Sequence, residues 1–442
     1  MHRRGLHTAW EWVSLGMSLK LIARFAAAWF AAGILFLSRA GAENWPQWRG
    51  PEGSGVSHEK NLPVRWGPQE NVRWRVPLPE RGNSTPIVWG QRIFITQAVG
   101  DRRTLMCLDR VSGKLLWQQG VVSDGKEPSH ETNPYCSASP VTDGQRVIAS
   151  FGSSGLFCYD LDGRELWRRD LGKQIHIWGN AASPILHEEL CILNFGPGER
   201  TFLIALDKKT GRTLWQHDEP GGSSGDKKPG QEKAEWIGSW STPVVIHPGD
   251  HDELLMNYPG RACAFDPRTG RELWTCAGLN PLAYASPLYA DGIVVALGGY
   301  NGSSLGVRAG GSGDVTATHR LWQVPKNKQR VGSGVIYGDH IYILDDPGIA
   351  ECIELKTGRV IWNERLKGPG ATADNWSSLV LSEEKLFAIN QSGDAFVWKA
   401  SPKFEVISTN SIGERTIASM AVSEGDIFLR SHQALWRIGP SK

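Results

Sequence analysis

Five carboxylates occupy one position of a repeated phrase, and a tryptophan follows each after seven or eight residues. They are Asp109 before Trp117, Asp160 before Trp167, Asp207 before Trp215, Asp266 before Trp274 and Glu354 before Trp362. Acids that recur in register invite a catalytic or metal-binding reading, but the residues between them argue otherwise. The phrases run CLDRVSGKLLW, CYDLDGRELW, ALDKKTGRTLW, AFDPRTGRELW and CIELKTGRVIW. Each carries a glycine (Gly113, Gly163, Gly211, Gly270, Gly358) where a tight turn needs left-handed backbone. An Asp at the head of such a turn bonds backbone two residues on. The acids therefore read as turn formers, and the tryptophans as packing residues on the returning strand of a hairpin.

The remaining reactive side chains form no familiar constellation. There is no H-E-x-x-H, no P-loop and no G-x-S-x-G. GGSGD (Gly310–Asp314) lacks the strand-to-helix context of a phosphate cradle and reads as a loop. Histidines are scattered; His247 and His251 flank a PGD turn, not metal-ligand spacing, and no metal site is expected. Cys107, Cys158 and Cys352 stand where other copies have Ala205 and Ala264, so they read as small buried side chains. Cys136, Cys191, Cys263 and Cys276 bring the total to seven, and an odd count argues against a full disulfide framework.

Upstream of most phrases lies a second shared element: STP at Ser84–Pro86 and Ser241–Pro243, ASP at Ala138–Pro140, Ala182–Pro184 and Ala285–Pro287. An apolar strand, a turn and a second strand follow each. The unit is four short antiparallel strands with a period of roughly 40–50 residues, the signature of a propeller blade. The markers of the returning strand are Trp117, Trp167, Trp215, Trp274, Trp322, Trp362 and Phe404; Trp322 sits in a degenerate copy, ATHRLW, without the acid or the glycine. One more unit, ending in QALWRIG, stops before its fourth strand. VRWRVPL, around Trp74, is a returning strand with no hairpin before it. The expectation is an all-β, eight-bladed propeller of four-stranded antiparallel blades, closed by that N-terminal strand, which removes the exposed edges of an open array.

The repeated phrase resembles the tryptophan-docking motif A-x-D-x-x-T-G-x-x-x-W of PQQ-type propellers, over nearly all of residues 71–442. That superfamily includes the quinoprotein alcohol dehydrogenases and non-enzymatic relatives such as the propeller subunit of the bacterial outer-membrane barrel-assembly machine. The chain is most similar to the exported PQQ-binding-like repeat proteins. The resemblance to the dehydrogenases implies a quinone cofactor under an adjacent Cys–Cys ring, a Ca²⁺ ion and an Asp base. This sequence has no Cys–Cys pair and no C-x-x-C-H haem attachment, so no cofactor is expected and PQQ least of all.

In a propeller, the segments entering each innermost strand surround the mouth of the central channel. Here they bring Asn133, Tyr135, Trp178, Asn180, Trp236, Trp240, Tyr284, Arg330, Asn375 and Trp376 to one face. Aromatic walls with few placed polar groups are the usual form of a ligand site. These ten are the candidate ligand-binding residues, for a protein, peptide or glycan; no catalytic residue is assigned. Glu131 and Asp374 are the mouth acids that an enzyme would draw on.

At the N-terminus, Arg3, Arg4, Lys20 and Arg24 precede an apolar run from Phe25 to Leu37 and then SRAGA, with Ala40 and Ala42 meeting the A-x-A cleavage rule. Residues 1–42 read as a signal peptide, 43–70 as an extended arm bearing Trp45 and Trp48, and 71–442 as the propeller. Gly221–Lys233 has the composition of a mobile loop. Losing the leader's five basic residues and Glu11 takes the net charge from +2 to −2, which excludes nucleic acid as a partner. The expected protein is an exported periplasmic or extracellular monomer, without a membrane span after cleavage, that binds or scaffolds without catalysis. The alternative is an enzyme, either a quinoprotein oxidoreductase or a carbohydrate-active propeller.

Overall fold

The structure, a computed structural model, describes residues 43–123, 127–225, 235–326 and 330–440. The expected leader and most of the loop 221–233 fall outside them. Among the described residues the one helical element is a 3₁₀ turn at Gly152–Ser154, and no helix is long and apolar enough to cross a membrane.

Hairpin chemistry builds eight sheets of one pattern. Blade 3 shows it: Ile185–His187, Leu190–Phe195, Thr201–Asp207 and Thr213–Glu219 pair antiparallel in chain order. The other blades span 87–122, 141–169, 244–277, 288–324, 335–365 and 380–411, numbered 1, 2 and 4–7. Blade 8 takes Ala421–Ser423, Asp426–Arg430 and Ala434–Ile438 from the C-terminal end and Val72–Pro77 from the N-terminal end. The strand around Trp74 thus closes the last blade.

The repeated acids do what the turn requires. Asp207 Oδ1 accepts the N–H groups of Lys209 and Thr210 at 2.9 and 2.8 Å, and Asp109 Oδ1 accepts that of Ser112 at 2.7 Å. The tryptophans dock one blade on the next. Each of Trp117, Trp167, Trp215, Trp322 and Trp362 donates its indole N–H to a turn carbonyl of the following blade, at 2.8–3.1 Å. Trp74 does the same from blade 8 to Arg110 of blade 1, at 3.0 Å. The turn glycine is where the ring lands: a Cβ on Gly211 would lie 2.7 Å from the Trp167 ring. The small residue of the phrase has the same cause, since Cys107, Cys158, Cys352 and Ala205 lie directly across the ladder from their tryptophans. All seven cysteines are buried, and burial pushes the Cys107 and Cys158 thiols up to about 12.

Two joints lack this device. Trp274 of blade 4 faces the degenerate blade 5, which has no turn to receive it, and its indole bonds Glu253 of its own blade at 2.9 Å. Instead, Gly313–Asp314 leaves blade 5 and pairs parallel with the outer strand of blade 4, so part of GGSGD is strand. In blade 7, Phe404 is not the docking residue. It precedes the outer strand Val406–Ser411 and packs on Trp362 at 4.9 Å. Ser408 holds the docking position, opposite Val397. The arm covers the gap, with Val64 accepting from Ser408 and from Asn410 and with Trp66 buried beside them.

Candidate functional site

The innermost strands begin with a hydroxyl residue in every blade, and these residues hold the ring together from inside. Thr85 donates its backbone N–H to Ser139 Oγ, Ser139 to Ser183 Oγ and Ser183 to Thr242 Oγ1, at 2.9–3.0 Å. Ser286 donates Oγ–H to the Thr242 carbonyl and its N–H to Ser333, which continues to Ser378 and on to Ser419, at 2.7–3.0 Å. The STP and ASP elements are therefore a hydrogen-bonded belt around the channel.

Above the belt is a cavity of about 660 Å³. One side of its wall is a continuous aromatic arc. Trp178 and Trp236 stack with centroids 4.6 Å apart and planes 16° apart; Trp240 follows at 5.9 Å from Trp178, and Tyr284 at 5.1 Å from Trp240. Trp236 is held by a small sheet at the mouth, where Ser223–Ser224 pairs with Trp236–Ser239 and that strand pairs parallel with Leu282–Ala283. The described start of the expected loop 221–233 thus pairs with the strand that carries Trp236. Gly299 has to be glycine, because a Cβ there would sit 2.4 Å from the Tyr284 ring.

Behind the arc, His176 sets the Trp178 loop. Its Nε2 faces the Ser223 carbonyl at 3.1 Å, its Nδ1 faces the Trp178 N–H at 3.3 Å, and burial lowers its pKa. It is the neutral imidazole, with the proton on Nε2. Trp240 meets its ring edge-on at 4.9 Å and donates Nε1–H to the Gly179 carbonyl at 2.9 Å.

Of the ten residues expected at the mouth, Asn133, Trp178, Trp236, Trp240, Tyr284 and Trp376 border this cavity. Tyr135 and Asn180 border a narrow neighbouring cleft around Glu127. There Asn180 donates to the Glu127 carboxylate, Tyr135 donates to the Glu127 carbonyl at 2.6 Å, and the Arg103 guanidinium lies 3.7 Å from the Tyr135 ring centroid. Burial pushes the Glu127 carboxyl up to about 7.

Arg330 and Asn375 are not presented to a ligand. Arg330 is 2% exposed, bonded to Asp345 at 2.8 Å, to Ser304 at 2.6 Å and to Glu351. Asn375 is fully buried and donates to the Leu344 and Ser377 carbonyls. The acids that pair with Arg330 lie on strands of blade 6, and nothing local in QRVGS or ADNW reveals them. Glu131 is exposed, outside the cavity lining.

Asp346 was missed. It accepts the Trp376 indole N–H at 3.3 Å and shares a hydrogen bond with Asp374, and burial followed by Asp374 raises it to about 6. It lies in a strand-end turn of blade 6, distant in sequence from the segment that it joins. The only signal was its place at the end of an inner hairpin, where every blade has something.

The channel is closed from the other side by the arm. Trp45 exchanges backbone hydrogen bonds with Val88 of blade 1, at 2.9 and 2.8 Å. Arg49, 2% exposed, donates to the Ser333 and Gly334 carbonyls across the ring. Between them Trp48 borders both the aromatic cavity and a second cavity of about 510 Å³ on the opposite face. Among the described residues, no Asp, Glu, Lys or Arg side chain contributes to the lining of the upper cavity.

A family model described as outer membrane protein assembly factor BamB matches residues 65–229 and 200–441. Among solved structures, BamB from Moraxella catarrhalis is 15% identical, over 77% of this chain and 92% of that one, with a TM-score of 0.53. A quinohemoprotein alcohol dehydrogenase from Comamonas testosteroni is 11% identical over 90% of this chain and 81% of its own, with a TM-score of 0.62. The computationally designed Ika8 protein is 12% identical over 81% of this chain and all of its own, at 0.52. At such identities the structural likeness is one of fold. None of the curated proteins matches by sequence.

Proposed function

The chain belongs to the β-propeller family described as outer membrane protein assembly factor BamB, and on that premise we propose that it is an exported, non-catalytic binding protein whose aromatic cavity takes a neutral, ring-faced ligand, a glycan foremost. The observation that carries the proposal is the wall itself: stacked Trp178 and Trp236 continuing through Trp240 to Tyr284, with no Asp, Glu, Lys or Arg in the lining among the described residues and a belt of hydroxyls beneath. Apolar ring faces of a sugar rest on indoles, and its hydroxyls exchange bonds with Ser, Thr and Asn. Periplasmic location goes with the family and with the leader-like residues 1–42.

A pyrroloquinoline quinone is a poor fit. It carries three carboxylates, and among the described residues the cavity offers no Arg or Lys to meet them; desolvating unpaired carboxylates is costly. A glycoside-cleaving site is also disfavoured. Asp346 and Asp374 are close enough to influence each other, but neither lines the aromatic cavity, so they are not placed to flank a glycosidic bond held there.

The test is a screen of neutral oligosaccharides against the mature chain, followed by intrinsic tryptophan fluorescence titration. Binding is expected, with loss in Trp178→Ala and Trp236→Ala. Absence of any hit, or unchanged affinity in both variants, would overturn the reading.

A further inference from the structure

The face opposite the aromatic mouth carries a cluster that the repeat does not explain. The innermost strand of blade 3 ends at His187 and that of blade 4 at Ile246, so His187 and His247 stand at the same end of neighbouring blades. Asp252 lies between them. Its Oδ2 is 2.9 Å from His187 Nε2, and its Oδ1 contacts His247 Nδ1. A Glu188 oxygen lies within 4.8 Å of the His187 and Asp252 ligand atoms. These side chains come from segments some sixty residues apart in sequence, and none belongs to the turn or docking positions.

Asp252 thus bridges two imidazoles through its two carboxylate oxygens, His187 largely buried and His247 largely exposed. A neutral imidazole whose proton sits on its far nitrogen turns a lone pair toward that carboxylate, an arrangement that a bound cation would stabilise. A second cluster sharpens the contrast. His217, Glu219 and Glu272 also converge, but there Arg261 fills the cationic position, 2.8 and 2.9 Å from the Glu219 oxygens and 3.5 Å from Glu272. At His187 the cation paired with the cluster is Arg268, which bonds only the outer acid, Glu188, at 2.9 Å.

We propose that His187, Glu188 and Asp252, whose ligand atoms lie within 4.8 Å of one another, form a binding site for a divalent transition metal of the Zn²⁺ class, with His247 reaching it from the other oxygen of Asp252. Two imidazoles and a carboxylate suit zinc, whose nitrogen and oxygen ligands lie at about 2.0–2.2 Å, and do not suit calcium, which takes six to eight oxygens. His187 and His247 both line the cavity of about 510 Å³ beneath Trp48, so a remaining coordination position faces that space. The metal ties blade 3 to blade 4 and to the 247–252 turn.

The test uses the mature chain without a histidine tag, stripped with chelator and dialysed. Zn²⁺ alone is titrated by calorimetry, and bound metal is counted by mass spectrometry. One equivalent is expected, with a rise in melting temperature, and with little response to Ca²⁺. Asp252→Asn and His247→Ala should each weaken binding by about tenfold or more, while His217→Ala changes nothing. His247 is largely exposed, so its variant should melt like the parent without metal, which keeps the test valid even if Asp252→Asn is destabilised. Substoichiometric zinc, affinity unchanged in His247→Ala, or calcium binding as tight as zinc would each overturn the site.

Discussion

Tryptophan serves two regions of this molecule in two ways. At the blade joints, Trp167 is 8% exposed, its ring seated on Gly211 and its N–H spent on the Lys208 carbonyl. At the mouth, Trp178 and Trp236 are only partly buried and rest on each other. A joint tryptophan is one half of a contact whose other half is written into the next blade's turn. The mouth tryptophans instead stack on each other and border the cavity, with Trp236 also against Gly225. What a ring rests on separates structural from binding roles where residue type cannot.

The comparison breaks first, if it is wrong, at the joints. Trp167→Ala removes a buried indole and should destabilise by roughly 3–5 kcal/mol, read by denaturant unfolding, with ligand affinity intact in the folded fraction. Trp74→Ala should match it, because the same contact there also closes the ring. A variant that melts like the parent would put Trp74 outside the closure. Next come the mouth variants. Trp178→Ala and Trp236→Ala should cost at least about 1.4 kcal/mol of binding, a factor of ten, with melting temperatures close to the parent. Trp240 belongs to both classes. It is 8% exposed and bonded to Gly179, so Trp240→Ala should lose stability and binding together; loss of binding alone would mean that its burial matters less than its face. Asn180→Ala should also be structural, since its amide holds Glu127.

The smallest effect is one of pH and lies beside the mouth. Burial holds the Glu127 carboxyl at about 7 in the folded protein against an ordinary 4.5. A raised folded value means that the folded state binds the extra proton between those limits. The associated stability is complete below about 4.5 and fades as pH rises through 7. The parent should lose on the order of 1 kcal/mol between pH 5 and 8, and Glu127→Gln should flatten that slope. Equal slopes in chemical unfolding would show that Glu127 is not the group.

The fold was legible because each blade repeats its own instructions locally: acid, turn glycine, small residue, tryptophan, Ser/Thr before Pro. Even the closure could be read, from a strand without a hairpin and a hairpin without a strand. The mouth was half legible. Its aromatic residues come from entry segments whose place in a blade is fixed by period. Arg330 and Asn375 misled because their partners, Asp345 and the Leu344 carbonyl, belong to a different strand of the blade. The cluster at His187 stayed hidden for a similar reason. The sequence sets His247 beside His251, four residues away, whereas the fold brings Asp252 of that same turn to His187 across a joint. Phe404 looked like a docking residue because the real substitute, Ser408 covered by Val64, is a contact between the two ends of the chain.

That the strand Val72–Pro77 completes a sheet begun at Ala421 has a kinetic meaning. The first segment of the propeller cannot find its place until nearly the last has been made, so closure is the most non-local event in the chain and carries the largest loop-entropy cost. A polypeptide delivered N-terminus first could pair Trp45 with Val88 of blade 1 early, but would hold blade 8's outer strand and the arm's contacts with blades 6 and 7 unmade until those blades emerge. Ligand competence would then report complete synthesis: a chain truncated before Ala434–Ile438 would have no seat for Trp74, and the ring would stay open at the blade 8 joint.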